Sequence, residues 1–304
     1  MAEAMMLTGI LPALVTPFRR GSDRIDESAA RRLIERLLSD GADGFYILGS
    51  TGEGILMDEN RRMEMCEIAV DQVAGRKPVI CHTAAMNFQS ALRLTKHAAE
   101  AGVTAVSAIP PLFFRYELRE LLLYYRQLAE VSPLPFIMYN HTAAGGGLSA
   151  ETVADIFRQV DAITGVKWTV NNYCQMMRLH ELTDGQINII NGPDEMLIQG
   201  LAAGADAGIG TTYNVMLPEY KAIYKAFQAG DATRAGSIQR RINTVTAVMQ
   251  RYGTVPATKY MCGLMGVDVG NASRPLRQLS KEEGHALEAD LRSVGWNPSG
   301  RVLV

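Results

Sequence analysis

Ala203-Gly204-Ala205-Asp206-Ala207-Gly208-Ile209-Gly210-Thr211 is the stretch on which the fold turns. A helical pattern ends in it, a glycine follows where a left-handed residue can close the last turn, and an apolar run begins at once. The same phrase stands at Asp40-Gly-Ala-Asp-Gly44 and at Glu100-Ala-Gly-Val-Thr104. Its return marks a faint internal repeat of about 20–35 residues, the size of one strand plus one helix.

Outward from these points, short apolar runs at 10–15, 44–48, 78–82, 105–109, 135–140, 163–168, 187–191 and 207–211 read as strands. Most are rich in Val, Ile, Phe or Tyr and alternate little, as strands covered on both faces do. Helical patterns lie between them at 27–39, 59–73, 88–100, 118–130, 150–158, 173–182 and 195–203. Asp58 and Ser149 stand where N-caps belong. Eight strand-and-helix units in about 215 residues predict an α/β fold, a closed (β/α)8 TIM barrel. A doubly wound open sheet usually has about five to seven strands. The remaining chain holds more helix (218–228, 232–251, 281–294) than an eighth barrel helix needs. The expected organisation is therefore a catalytic barrel over 1–229 and a helical C-terminal extension over 230–304.

Composition narrows the function classes. Of 304 residues, 47% are hydrophobic and 20% charged, so the chain can bury a core. Thirty basic against 32 acidic side chains give a net charge of −2, with no basic face for nucleic acid or an anionic membrane. Four cysteines with no CxxC pair argue against a disulfide scaffold or a structural zinc. The first residues lack the basic region of a signal peptide, and no uncharged apolar stretch reaches membrane-spanning length. A cytoplasmic enzyme is expected.

Reacting groups of a barrel sit at the C-terminal ends of its strands. The second strand runs into Gly49-Ser50-Thr51-Gly52-Glu53-Gly54, which is neither a dinucleotide nor a Walker motif. Its hydroxyls and free N–H groups suit a small anion such as a carboxylate, though an ordinary strand-to-loop turn reads the same way. The fifth strand ends at Tyr139-Asn140 and the sixth at Lys167-Trp168-Thr169. Lys167 is the lysine set within an apolar strand, where burial favours the neutral amine that attacks a carbonyl; the alternative is a lysine paired with a buried acid. Neighbouring strands lie about 4.8 Å apart, so Tyr139 can reach Lys167 and relay protons during imine chemistry. His82 and His141 also end strands but have no HxH or HExxH partner, so no metal is expected. No Gly-x-Ser-x-Gly elbow occurs, and the cysteines have no base nearby in sequence.

These residues resemble the family of class I pyruvate-dependent aldolases that includes N-acetylneuraminate lyase and dihydrodipicolinate synthase. The likeness runs from Gly9 to about residue 290. Its motifs are Gly9-Ile-Leu-Pro-Ala-Leu-Val-Thr-Pro-Phe18, Gly49-Ser-Thr-Gly-Glu53, Tyr139-Asn140, Gly165-Val-Lys167, Asn191-Gly-Pro-Asp-Glu195 and Gly208-Ile-Gly-Thr-Thr-Tyr-Asn214. The resemblance implies a barrel with C-terminal helices, a homotetramer, a small 2-keto acid substrate, and no metal or organic cofactor. It makes Lys167 the Schiff-base lysine, Tyr139 the proton relay, and Ser50 and Thr51 the seat of the keto acid's carboxylate. Within the family, Ser50, Thr169, Gly192, Asp194, Glu195 and Thr211 look more like the sialic acid lyase type, whose acidic pair binds the polyol tail.

The expected reaction is reversible cleavage of N-acetylneuraminate, or a related 2-keto-3-deoxy sugar acid, to pyruvate and an aldehyde. One alternative is a dihydrodipicolinate synthase (4-hydroxy-tetrahydrodipicolinate synthase) that joins pyruvate to aspartate semialdehyde. The other is a barrel that binds a keto acid without turning it over. Ala144 stands where the synthases carry an arginine for the second substrate's carboxylate. The segment His141-Thr-Ala-Ala-Gly-Gly-Gly147 departs from both patterns. Phe113 replaces a tyrosine that completes the relay from the neighbouring subunit.

Overall fold

The computed structural model describes residues 6–303. Eight strands, β1 (Gly9–Pro12), β2 (Phe45–Ile47), β3 (Val79–His82), β4 (Ala105–Ala108), β5 (Phe136–His141), β6 (Ile163–Thr169), β7 (Asn188–Asn191) and β8 (Ala207–Gly210), are joined in parallel. Their order is β1-β8-β7-β6-β5-β4-β3-β2. A parallel bridge between Ala13 and Tyr46, with the Leu14 N–H on the Tyr46 carbonyl at 2.9 Å, brings the two ends together. The eight predicted strands are all present, and the barrel reading holds.

Between and after the strands lie α1 (Glu27–Ser39), α2 (Glu59–Val73), α3 (Phe88–Ala101), α4 (Leu118–Glu130), α5 (Ala150–Gln159), α6 (Tyr173–Leu182), α7 (Leu197–Ala202) and α8 (Tyr213–Gln228). Asp58 and Ser149 cap α2 and α5 through bonds to the Arg61 and Thr152 N–H groups. The three repeated helix exits carry Gly41, Gly102 and Gly204 at φ of 89°, 90° and 96°, the left-handed turn that lets the chain drop straight into the next strand.

Side chains alternate along each strand. One set, including Phe45, Val106, Phe136, Met138, Val166 and Ile189, packs outward under the helices. The other, including Leu11, Tyr46, Ile80, Ile137, Ile190 and Ile209, fills the barrel's interior. The interior is thus a packed plug whose upper surface is where reactive side chains can stand.

Two helices begin differently from the sequence expectation. The helix expected at 195–203 begins as a single 3-10 turn, Asp194–Met196, before α7. The Gln239 amide is wedged into what would be a helical bond: it donates to the Asp194 carbonyl at 3.2 Å and accepts from the Ile198 N–H at 3.4 Å. The helix expected from 218 begins at Tyr213 instead, and kinks at Met216 (φ −141°, ψ 27°) because Pro218 has no N–H to donate. The Asn214 carbonyl it leaves is taken by Arg36.

Past α8, the extension contains α9 (Ala232–Tyr252), α10 (Thr254–Leu264) and α11 (Lys281–Ser293). Helix α10 had no clear sequence signal. Its Gly253, Pro256 and Gly263 read as breakers, yet Pro256 falls in the first turn, where an N–H has no helical partner anyway. No helix among the described residues is long and apolar enough to cross a membrane.

Candidate active site

Tyr139 and Lys167 are direct partners in the β5·β6 ladder. Both point into the barrel above the packed plug, and Lys167 is only 5% exposed. The lysine nitrogen lies 4.2 Å from the Tyr139 ring centre and 4.5 Å from that of Tyr46. Tyr46 meets Tyr139 edge to face at 6.0 Å, and its hydroxyl shares a hydrogen bond with Ser107 at 3.0 Å. His82 packs edge-on to Tyr139 at 5.7 Å. Burial holds the His82 imidazole well below its ordinary value, and the Arg62 and Lys167 charges push the same way, so this ring is neutral.

No carboxylate lies within ion-pair distance of Lys167 among the described residues. The buried acid–lysine pair that could have explained it occurs elsewhere, between Lys259 of α10 and Glu53, 2.5 Å apart. Burial pulls the Lys259 ammonium down while Glu53 pulls it up. Glu53 also accepts from the Ser273 N–H, and sits at a left-handed φ of 58°. The loop that starts at Gly49 is therefore tethered at its far end to the C-terminal helices. One residue earlier, Thr16 donates to the Gly52 carbonyl at 2.6 Å.

That loop carries Ser50, exposed and with no partner for its hydroxyl among the described residues, and Thr51, buried. The Thr51 hydroxyl lies 2.6 Å from that of Thr211 at the end of β8. The loop and the β8 end are thereby joined across the barrel mouth.

Thr169, Gly192, Asp194, Glu195 and Thr211 line one cavity of about 320 Å³; Thr169 belongs to the strand that carries Lys167, and Gln250 and Thr254 of the extension complete the wall. Gly192 admits no side chain, since a Cβ would fall 1.9 Å from the Thr169 hydroxyl. That hydroxyl is itself buried and has no partner among the described residues. The two acids are not equivalent. One Asp194 oxygen accepts both the N–H and the hydroxyl of Thr212 at 2.6 Å, and burial lifts its carboxyl to about 6. Glu195 is half-buried, and its carboxylate is free of protein partners among the described residues.

The structure thus brings all nine predicted residues to the barrel's C-terminal end. Sequence reading missed four contributors: Tyr46 under the lysine, Lys259 behind Glu53, and Gln250 and Thr254 on the cavity wall. Tyr46 could have been found from period-2 alternation in β2; the others stand on helices whose packing no local pattern reveals. Phe113 is 86% exposed at a φ of 80°, and Ala144 is buried in the loop after β5.

Known proteins resemble this chain along nearly its whole length. The model of the dihydrodipicolinate synthetase family matches residues 6–294. The N-acetylneuraminate lyase of Rhizobium meliloti is 34% identical over 296 residues, 97% of this chain and 98% of that protein. That of Citrobacter koseri is 30% identical over 262 residues, 86% and 88% of the two chains. Among solved structures, the N-acetylneuraminate lyase of Proteus mirabilis superposes with a TM-score of 0.91 at 28% identity, over 96% of this chain and 100% of that one. With the barrel, the paired lysine and tyrosine and a match along nearly its whole length, this chain belongs to the dihydrodipicolinate synthetase family.

Proposed function

We propose that the protein is a Schiff-base-forming carbon–carbon lyase that reversibly splits N-acetylneuraminate, or a related 2-keto-3-deoxy sugar acid, into pyruvate and an aldehyde. The observation that carries this reading is the Lys167–Tyr139 pair on two adjacent strands, one of which continues into Thr169 on the wall of a polar cavity that also holds the Glu195 carboxylate.

The Lys167 amine attacks the keto carbon, and water leaves to form the iminium. Tyr139, left as a phenolate once its proton has gone to the departing water, takes the proton of the hydroxyl two carbons away. The bond from that hydroxyl-bearing carbon to the carbon next to the iminium breaks, its electrons flow into the iminium, and the aldehyde departs. The neutral enamine that remains picks up a proton at carbon, and water hydrolyses the imine to release pyruvate and the free amine. The lysine itself is the electron sink, so no external cofactor enters. Ser50 and Thr51 hold the keto acid's carboxylate. Thr169, Gly192, Asp194, Glu195 and Thr211 receive the hydroxylated tail, where a carboxylate oxygen accepts from neighbouring hydroxyls.

In this reading residues 1–229 are the catalytic barrel, and 230–304 a helical extension that supplies one wall of the site. The enzyme is a cytoplasmic homotetramer. Four unpaired cysteines suit a reducing compartment, and the exposed Met86, Phe113, Phe114 and Leu123 suit a covered face.

Pyruvate release in a coupled dehydrogenase assay, from N-acetylneuraminate and from 2-keto-3-deoxygluconate, tests the proposal. Release from the first assigns the sialic acid reaction, and release from the second alone keeps the chemistry with a shorter acid. Silence with both, alongside condensation of pyruvate with aspartate semialdehyde, would replace the reading with the synthase.

A further inference from the structure

Above the layer formed by Tyr139 and Lys167, the next inward-facing pair toward the barrel mouth is His141 and Thr169. These two are also direct partners in the β5·β6 ladder. Every second side chain of a strand points the same way, about 6.6 Å further along. A molecule joined to the Lys167 nitrogen and extending toward the mouth meets this layer next.

His141 is a different histidine from His82. His82 is enclosed, with its Nε2 accepting from the Ile109 N–H at 3.3 Å. His141 is half-buried, edge-on to Tyr139 at 5.4 Å, and its Nδ1 accepts the Ala143 N–H at 2.9 Å. A neutral imidazole has one donor and one acceptor nitrogen, so with Nδ1 accepting, the hydrogen sits on Nε2. Burial and then the Lys167 charge hold this ring below its ordinary value, so the neutral form prevails at pH 7. The loop thus uses up the acceptor nitrogen and leaves a fixed N–H donor. That donor has no protein acceptor among the described residues. The Tyr139 hydroxyl has no protein partner either, and the Thr169 hydroxyl is buried without one. Three polar groups on two adjacent strand ends are therefore left without a protein partner among the described residues, at the level a substrate extending from Lys167 enters next.

We propose that His141 is a further catalytic residue: its Nε2–H donates to the substrate oxygen on the carbon that leaves as the aldehyde. It stabilises the charge gathering on that oxygen as the carbon–carbon bond breaks, and polarises the aldehyde in the reverse direction. His141 neither takes nor gives up the proton; Tyr139 moves it. The proposal rests on the Schiff-base reading above.

Two substitutions in the full-length protein test it. His141→Asn keeps the bond to the Ala143 N–H, because an asparagine oxygen accepts two residues on, but it has no donor at the reach of Nε2. His141→Gln sets an amide N–H close to the Nε2 position. The Asn variant should lose about 10²–10³ in kcat for pyruvate release, and the Gln variant should recover at least about ten-fold of that loss. Melting temperature and borohydride trapping of pyruvate on Lys167 should stay at wild-type level in both. Wild-type kcat in the Asn variant, or equal impairment of the two, would overturn the proposal. Loss of trapping in the Asn variant alone would overturn it too, since His141 would then be holding the site together. Failure of trapping in the wild type would instead defeat the Schiff-base reading beneath it.

Discussion

Lys167 stands directly opposite Tyr139 in the parallel β5·β6 ladder, its side-chain nitrogen 4.2 Å from the centre of the tyrosine ring. Their approach is fixed by backbone hydrogen bonds between two central strands, so neither side chain depends on a loop for its place. In the proposed reaction a phenol held this way is the positioned proton carrier. Tyr139→Phe keeps the ring beside the ammonium and deletes the hydroxyl, and should cut turnover by about 10²–10⁴. Imine trapping with pyruvate should persist in this variant. Near-normal pyruvate release would remove Tyr139 from the proton relay.

The other buried lysine serves the site from behind. Lys259 is paired with Glu53, donates to the Asn271 carbonyl at 3.0 Å and lies over the Phe18 ring. Lys259→Met leaves Glu53 buried and unpaired, and should cost about 3–5 kcal/mol in urea unfolding. Adding Glu53→Gln should return part of that loss. Unchanged stability in the single variant would show that the pair is not what anchors the loop.

Most of the frame was legible from sequence because barrel strands and helices announce themselves locally. The runs around Phe45, Phe136 and Ile163 are apolar on both faces, and the caps at Asp58 and Ser149 stand where their helices begin. Lys167 was legible because a lysine in an apolar strand is unusual, and Tyr139 because it ends the neighbouring strand. What was not legible depends on residues far apart in the chain. Gln239 breaks the first turn expected at 195 from 41 residues beyond Ile198, and Lys259 meets Glu53 from a helix whose glycines and proline hid it. The unequal roles of Asp194 and Glu195 come from Thr212, which binds only the first of them.

Asp194 should leave a mark on the pH dependence of stability. Its carboxyl is lifted by burial from 3.8 to about 6 in the folded protein. Between those values the folded state holds a proton that the unfolded chain has released, so the contribution of this position to stability rises as pH falls from 6 toward 4. Asp194→Asn cannot titrate. The stability of the wild type relative to this variant should therefore increase by roughly 2 kcal/mol between pH 7 and pH 4.5. A constant difference, or one that shrinks with falling pH, would contradict the assignment.

Glu195 should matter to the substrate's tail and not to the chemistry at the lysine. Glu195→Ala removes the free carboxylate of the cavity, and should raise KM for the hydroxylated substrate by about 10–100-fold, the worth of hydrogen bonds to a charged group. Pyruvate trapping should be unaffected. A fall in kcat with KM unchanged would move Glu195 from tail recognition to the reacting centre.

The central claim is that Lys167 forms an imine with a 2-keto acid, and borohydride reduction in the presence of pyruvate tests it most directly. Peptide mapping by mass spectrometry should find the reduced pyruvyl adduct on Lys167 in the wild type. It should find none in Lys167→Arg, whose guanidinium stays protonated and cannot form the imine. A wild-type protein that traps no pyruvate, or traps it equally well when Lys167 is replaced, would contradict the account.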